Sequence, residues 1–549
     1  MIIFPRGLLF SSLACLCFAS NSITYKSSHK AKARDCQGQV HHVHLAVGPD
    51  PATSMTVSFA SAKSHQAPVP VAGVALGTLP GRFQYLVMDD EPPASYHVRT
   101  SEQESNGPPS NSTGRPRYWS PYYHHITITN LKPDTLYYYQ PMVAASRNEL
   151  KLHSNLRQQS TSGETLPETA QMEIQVSTFD EIREEVGTDP DLAGEGERRL
   201  KDMSGYVAVK PCPASDKIRW FKTAPSSPSE TRIAVFGDLG QTRSAKETLD
   251  HIHKTRSNLD LALLVGDIAY TGQDENNWDC FFDLWDDADF SDRIPVHICP
   301  GNHDVDKQKH GNKIFLAYEH RFRMPRIQPP ELGAAKHSHI STPKYPLPYE
   351  YGNAYYEFTH GAARIFMLSA YSAMETGSKQ HAWLKGALQN VDRDRTPWVI
   401  VGIHVPLYNT FNTHNEDAQV LAAIEHFEPL FVENEVNFVF TGHVHAYMRS
   451  KPVRMGKVHP KGPIHMIVGS SGLQVSAWFE HMEKEDFVEA RDETRYGYGV
   501  LHIHNKTTAA WEWIDLRYSR DVNRVKDLNT TVPPEFEKDS VILQNQYFL

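Results

Sequence analysis

Along the second half of the chain, short apolar runs break off one after another into polar motifs. Residues 233–236 lead into Gly237-Asp238-Leu239-Gly240, 261–265 into Gly266-Asp267-Ile268-Ala269-Tyr270, and 296–298 into Gly301-Asn302-His303-Asp304. The run 399–403 ends on His404, and 438–440 is followed by Gly442-His443-Val444-His445. Each run predicts a buried strand, and the spacing at 244–253 and 381–388 predicts helices between strands. Strand, motif, helix, strand, motif is an α/β organisation with much parallel pairing. In such sheets the ligand crevice lies beyond the carboxyl ends of the strands, so all these side chains are aimed at one place. Residues 500–504 and 511–514 predict a hairpin near the end of the chain. No internal repeat is present.

The first part of the chain has a different period. Residues 44–47, 55–59 and 124–129 alternate apolar with small or polar positions, as half-buried strands do. The turn Leu131-Lys132-Pro133-Asp134-Thr135-Leu136-Tyr137 then delivers a tyrosine into the next strand. A buried Tyr whose hydroxyl reaches back to the turn is the tyrosine corner of immunoglobulin-like sandwiches. The segment resembles a fibronectin type III module, with 218–223 as its following strand. Two inserts interrupt it, near 91–117 (Pro, Ser, Glu, Asn) and 146–211 (Glu, Gln, Ser, Thr). Their composition buries too little apolar surface to offset ordering entropy, which predicts mobile loops with at most a helix at 180–185. The expected layout is therefore an all-β sandwich over 36–225, a linker at 226–230, an α/β domain over 231–520 and a C-terminal tail at 521–549.

Composition adds bounds. A chain of 549 residues suits two domains, and a formal net charge of −10 speaks against a general nucleic-acid partner. Arg6, the apolar stretch 8–18, and the small residues Cys17 and Ala19 read as a signal peptide over 1–19. No later run is long enough to span a bilayer. The expected location is secreted, or within the secretory pathway or vacuole. Cys36, Cys212, Cys280 and Cys299 then remain, an even number that permits two disulfides. Pairing Cys36 with Cys212 and Cys280 with Cys299 keeps each bridge within one domain; free buried thiols are the alternative. Asn111, Asn505 and Asn529 are glycosylation sequons that fit the same route.

The strand-end residues are metal ligands by type. Asp238, Asp267, Tyr270 and His445 offer carboxylates, a phenolate and an imidazole; Asn302, His404 and His443 offer an amide oxygen and two imidazoles. Two metals ~3.5–4 Å apart need a shared ligand, and Asp267, on a central apolar strand, is the natural bridge. Any one motif alone would pass as a turn, a loop or a surface histidine. Their fixed order, each closing its own apolar run, is what makes the set specific.

In that order the motifs resemble the metallophosphoesterase superfamily, and within it the large two-domain purple acid phosphatases of plants and fungi, over about 39–516. Tyr270, three residues after Asp267, separates this family from the protein Ser/Thr phosphatases; Tyr137 and Trp511-Glu512-Trp513 extend the likeness. The resemblance implies a layered α/β/β/α catalytic domain preceded by the fibronectin III-like sandwich. It implies an Fe(III) site of Asp238, Tyr270, His445 and bridging Asp267. A divalent Zn, Fe or Mn site would comprise Asp267, Asn302, His404 and His443, a division that donor hardness also favours. The implied activity is phosphomonoester hydrolysis by a metal-bound hydroxide, an acid phosphatase reaction. Asn302, His303 and His414 would contact substrate, with His303 and His414 as catalytic histidines. Tyr408 and Asn409 match the loop near the phosphate, as residues that shape the pocket. Thr413 and Asp304 depart from common family residues (His and Glu), which bears on substrate and pH preference. The expected partners are small phosphate esters, and the resemblance also allows a homodimer. A phosphodiesterase or phytase on the same site is the rival reading, and an adhesive protein with a retired catalytic domain the third.

Overall fold

The computed structural model describes residues 40–63, 69–99, 116–153, 217, 219–272, 274–305, 313–333, 344–473, 475–481, 483–518 and 539–548. The signal segment, Cys36, Cys212, Asn111, Asn529 and residues 180–185 lie outside them. The N-terminal strands form two antiparallel sheets. His41–Val47, Met55–Lys63 and Pro121–Ile128 make one; Tyr85–Met88, Val71–Gly77, Leu136–Ala144 and Arg219–Lys222 make the other. Along Leu136–Ala144 burial alternates residue by residue over most of the strand, so one face is turned inward. Val57, Phe59, Val74, Ile126, Tyr139 and Phe221 close the core between the sheets. The Tyr137 hydroxyl accepts from Lys132 N at 2.9 Å, the tyrosine corner that the turn sequence predicts.

Both inserts are more ordered at their ends than their composition predicts. His97–Arg99 pairs with Pro116–Trp119 in a two-stranded ribbon, and Arg147–His153 is a helix with Leu150 fully buried. Apolar content averaged over each insert hides the few side chains that bury. Tyr96 and Tyr118 are among these, and both hydrogen-bond the buried Arg321 (to Tyr118 at 2.7 Å), which also pairs with Asp279 at 2.9 Å. That cluster ties the sandwich to helix Asn276–Ala288 of the α/β region, where Phe282 also stacks on His42 at 5.3 Å.

The α/β region holds two larger sheets. In the first, Val296–Ile298, Leu261–Leu264 and Thr231–Phe236 run parallel; Arg495–Ile503, Thr508–Tyr518 and Ser540–Gln544 continue it antiparallel. In the second, Ala363–Leu368, Trp398–Ile403, Phe438–Thr441 and Ile464–Val468 run parallel, edged by the antiparallel strands Tyr356–His360 and Tyr447–Arg454. The sheets share one apolar core: Phe440 stacks on Trp511 at 5.4 Å and Tyr447 on Trp513 at 4.1 Å. Gly499 makes room for this, since a Cβ there would lie 1.9 Å from the Trp511 ring. Helix Arg243–Thr255 buries Ala245, Leu249 and Ile252 against the same core, matching the helical period at 244–253.

Two expectations need correction. Cys299 is a free, buried thiol, so the Cys280–Cys299 bridge does not form. Cys280 is not among the residues by which its helix packs inward, whereas Cys299 follows the edge strand Val296–Ile298 and is fully buried in the core. The expected C-terminal tail is in part a strand of the first sheet. Before it, buried Asp539 accepts from Arg449 Nε (2.8 Å) and Nη2 (2.7 Å) and from the Tyr447 hydroxyl. Isolated from its partners, a five-residue strand carries too little pattern to be told from a tail. Among the described residues no helix is long and apolar enough to cross a membrane.

Buried histidines set an acid limit on this fold. Burial lowers His44 to about 4, His124 to about 3 and His465 to about 3. Each folded value lies below the unfolded value of about 6.5, so the unfolded chain takes up these protons first. Stability should hold above pH ~6.5 and fall as pH drops toward 4, by roughly 1 kcal/mol per pH unit for each group. Neither ring nitrogen of His465 has a hydrogen-bond partner among the described residues. His465→Leu should therefore stabilise the protein by about 1–2 kcal/mol at pH ~4.5 and by less at pH ~7.5. Urea titrations at the two pH values measure this; an equal gain at both would remove His465 from the acid response.

Candidate metal centre

Parallel strands of both sheets end in one crevice, and their terminal residues converge there. Asp238 and Asp267 follow Thr231–Phe236 and Leu261–Leu264; His404 follows Trp398–Ile403 and His443 follows Phe438–Thr441. Ligand-type atoms of Asp238, Asp267 and His404 all lie within 4.8 Å of one another. The Tyr270 hydroxyl donates to Asp238 Oδ1 at 2.9 Å and lies 3.0 Å from His445 Nε2. His404 Nε2 lies 3.1 Å from Asn302 Oδ1 and 3.5 Å from Asp267 Oδ1. His303 N donates to Asp267 Oδ1 at 2.7 Å, and its ring packs 4.4 Å from that of Tyr270. The rings of His443 and His414 are 3.9 Å apart. Every metal ligand expected from the sequence, with His303 and His414, thus sits in one connected cluster.

The backbone makes this convergence at a cost. Asp238, Asp267, Tyr270, His414 and His443 all have φ between 49° and 67°, the left-handed region. Such conformations are uncommon for residues with a Cβ and persist only where surrounding structure enforces them. Close approach does the enforcing: a Cβ on Gly301 would lie 2.1 Å from Asp267 Oδ1, and one on Gly442 would lie 2.3 Å from Asp238 Oδ2. Glycine at these two positions is what lets the loops close over the carboxylates.

Among the described residues, imidazoles and not lysine or arginine face the buried carboxylates of the crevice. Asp238 and Asp267 are 0 % and 1 % exposed, and among the described residues neither pairs with a lysine or arginine. Burial alone would push the Asp267 carboxyl up, but His404 and His303 hold it well below the usual range. His404 is the counterpart: burial would lower it, and the Asp267 carboxylate raises it instead to about 9. Burial and the two carboxylates keep the Tyr270 hydroxyl far above its ordinary value. His404 Nδ1 donates to Val265 O at 2.8 Å, which turns Nε2 toward the oxygens of Asn302 and Asp267. A neutral ring would present a lone pair there to two acceptors. That arrangement asks for a cation, and hard oxygen donors beside imidazoles fit an iron or zinc pair.

The comparisons agree with this geometry. Residues 231–447 match the calcineurin-like phosphoesterase family, 40–155 the purple acid phosphatase N-terminal domain, and 462–527 the iron/zinc purple acid phosphatase-like protein C family. The chain is 32% identical over 330 residues to probable purple acid phosphatase 20 of Arabidopsis thaliana, covering 60% of this chain and 71% of that protein. The chain belongs to the purple acid phosphatase family. It is also 34% identical to purple acid phosphatase 18 of the same plant over 51% of this chain, a match that spans only 59% of that relative. The solved structure of a yellow lupin seed purple acid phosphatase shares the fold, with a TM-score of 0.60 at 17% identity. That match covers 92% of this chain and 74% of the lupin chain. Membership brings with it a binuclear metal centre.

The structure adds residues that the motifs do not announce. Asp417 Oδ2 lies 2.9 Å from His414 Nδ1 and 3.0 Å from His443 Nε2, and these contacts hold its carboxyl well below the usual range. Asp417 immediately precedes helix Ala418–Ala422, yet its side chain makes no cap bond. Its offset of three from His414 is the signal that could have found it. Tyr371 donates to Asn302 Oδ1 at 3.3 Å. Asp304 accepts from the backbone N–H of Asp267 (3.0 Å), Ile268 (2.9 Å) and Gly301 (2.9 Å), so it braces the loops from behind rather than facing substrate. Asn409 Nδ2 donates to Thr413 O at 2.6 Å, consistent with a pocket-shaping role. Tyr408 does not belong in the pocket: its hydroxyl donates to Glu428 and its ring packs on His465 and Phe487. Of the sequons, Asn505 is exposed in the turn before Thr508–Tyr518.

Asp304→Ala strands three buried N–H groups at once and should destabilise the protein by on the order of 3 kcal/mol or more. Asp304→Asn, which keeps one acceptor oxygen, should lose less. Denaturant midpoints check this; an Ala variant within ~0.5 kcal/mol of the parent would remove the bracing role.

Proposed function

We propose that this protein is a secreted acid phosphatase that hydrolyses small phosphomonoesters at a binuclear site. Two acidic side chains buried without lysine or arginine, ringed by imidazoles and a phenol at strand ends, carry this reading. Asp238, Tyr270, His445 and Asp267 would hold Fe(III), and Asp267, Asn302, His404 and His443 a divalent Zn, Fe or Mn ion. Bound there, the pair would supply Lewis-acid charge and an activated water at working pH.

The chain's own groups do the rest. Asp267 would take the bridging position: its Oδ1 lies 3.5 Å from His404 Nε2, and ligand-type atoms of Asp238 and His404 both lie within 4.8 Å of its carboxylate. His303 and His414 are partly exposed at the mouth, with side-chain exposures of 29% and 27%. Both rings would hydrogen-bond the phosphate of an entering ester. His414, held through Nδ1 by Asp417, leaves Nε2 to pass a proton to the departing alkoxide. Burial of Asp238, Asp267 and His404 keeps bulk water off the ligands. Phosphodiesters and phytate remain rival substrates, since the same charge would receive them.

The assay is direct. Purified protein should carry two metals, show visible phenolate-to-iron absorption and release phosphate from monoesters faster than from diesters. Tyr270→Phe should bleach the band. A colourless protein containing stoichiometric Fe(III) would overturn the assignment, and a diester preference would favour the rival. His414→Ala should slow alkyl phosphates by about 100-fold and activated aryl phosphates by less than about 10-fold, because only the poor leaving group needs the proton. Equal losses for both classes would make His414 a phosphate-positioning residue instead.

A further inference from the structure

A second cluster of ligand-type side chains lies away from the crevice, at the seam between the interdomain linker and the first sheet. Glu230 ends the linker, immediately before strand Thr231–Phe236; His502 and His504 close the neighbouring antiparallel strand Arg495–Ile503. Donor atoms of Glu230, His502 and His504 all lie within 4.8 Å of one another. The two imidazoles, two residues apart along the chain, have ring centroids 3.8 Å apart, and His502 Nε2 is in contact with Glu230 Oε1.

The hydrogen-bond pattern at His502 is inconsistent with one proton. Arg232 Nε donates toward His502 Nε2 at 3.3 Å, which requires a lone pair on that nitrogen. Glu230 Oε1, an acceptor, meets the same Nε2, which requires a proton on it. A neutral imidazole satisfies one contact and leaves the other repulsive. A cation between Nε2 and Oε1 would satisfy both lone pairs and release the Arg232 guanidinium, whose Nη2 is 3.5 Å from Glu230 Oε1. Two imidazoles and one carboxylate with an open fourth position suit tetrahedral Zn(II), whose donors sit at ~2.0–2.2 Å. Small rotations of three surface side chains from their present spacing would reach that geometry.

We propose that Glu230, His502 and His504 form a zinc site, separate from the phosphatase centre, that staples the linker to the first sheet. It shares no residue with the catalytic crevice and does not depend on how that crevice is read. Arg232 competes with the metal for Glu230 and sets its affinity.

Zinc titration of the full chain, with its catalytic metals in place, tests this. The parent protein should take up an additional zinc ion with a rise in melting temperature. His502→Ala and His504→Ala should weaken that uptake by more than about 100-fold, beyond what loss of an outer-shell partner costs, while phosphatase activity stays within about twofold. Arg232→Gln should tighten it several-fold. Should the variants fold poorly, zinc should still slow diethyl pyrocarbonate modification of His502 and His504 in the unmutated chain, read by peptide mass. No additional zinc in the parent, equal uptake in His502→Ala, or no protection would each overturn the site.

Discussion

Two buried carboxylates organise this molecule. A carboxylate taken out of water costs several kcal/mol unless charge and hydrogen bonds replace its hydration. Asp238 and Asp267 get neither from lysine or arginine among the described residues. Backbone amides do part of it: His443 N donates to Asp238 Oδ2 at 2.9 Å, and His303 N to Asp267 Oδ1 at 2.7 Å. Imidazoles do the rest. The His303 contact joins two loops of the first sheet, whereas the His443 contact joins the second sheet to the first, so the two parallel sets must meet at their carboxyl ends. Stacking of Trp511 on Phe440 and of Trp513 on Tyr447 holds the sheets in that relation.

The left-handed residues follow from the same constraint. A strand that simply ran on would carry Asp238 or Asp267 past the crevice, alternating sides as strands do. Turning at the motif residue itself points the carboxylate along the strand axis, toward the other loops. Strain of ~1–3 kcal/mol at each such residue persists because a cooperative core larger than any one loop fixes both flanks. Ile233–Phe236 and Leu261–Val265 are fully buried on either side of it. Rigid flanks and strained tips are how a protein keeps charged groups close enough for metal without letting them drift apart.

Much of this was legible before any coordinates. The motif residues Asp238, Asp267, Tyr270, Asn302, His404, His443 and His445 could be read because each closes an apolar run, and burial makes such runs conspicuous. The tyrosine corner was equally plain, since its turn and its Tyr137 are local in sequence. What stayed hidden depends on distant partners. Asp417 belongs to none of the strand-end motifs, and its contact with His443, 26 residues away, is what ties it to the site. Ser540–Gln544 is a strand only because Thr508–Tyr518 offers it an edge. Tyr96 lies in a stretch of low apolar content, and its partners Glu275 and Arg321, 179 and 225 residues on, are what make its burial favourable. Cys280 and Cys299 paired on paper because sequence gives separation along the chain, not the direction in which a helix presents a side chain.

The mouth of the crevice shows how family departures can leave the metal cluster intact. His414 is held from three sides. Asn409 braces the carbonyl of Thr413, Asp417 fixes the imidazole, and the neighbouring segment pairs with Asn412, whose N–H donates to Trp478 O at 2.8 Å. None of these bonds uses the Thr413 side chain, so replacing a histidine there removes a charge without loosening the loop. That same neighbouring segment carries Ser476, whose Oγ is 3.2 Å from His445 Nδ1. Placement of His414 and orientation of His445 are thus tied to one stretch of backbone. Substitutions along 476–480 would move both together, whereas a substitution at 413 leaves every one of these bonds in place.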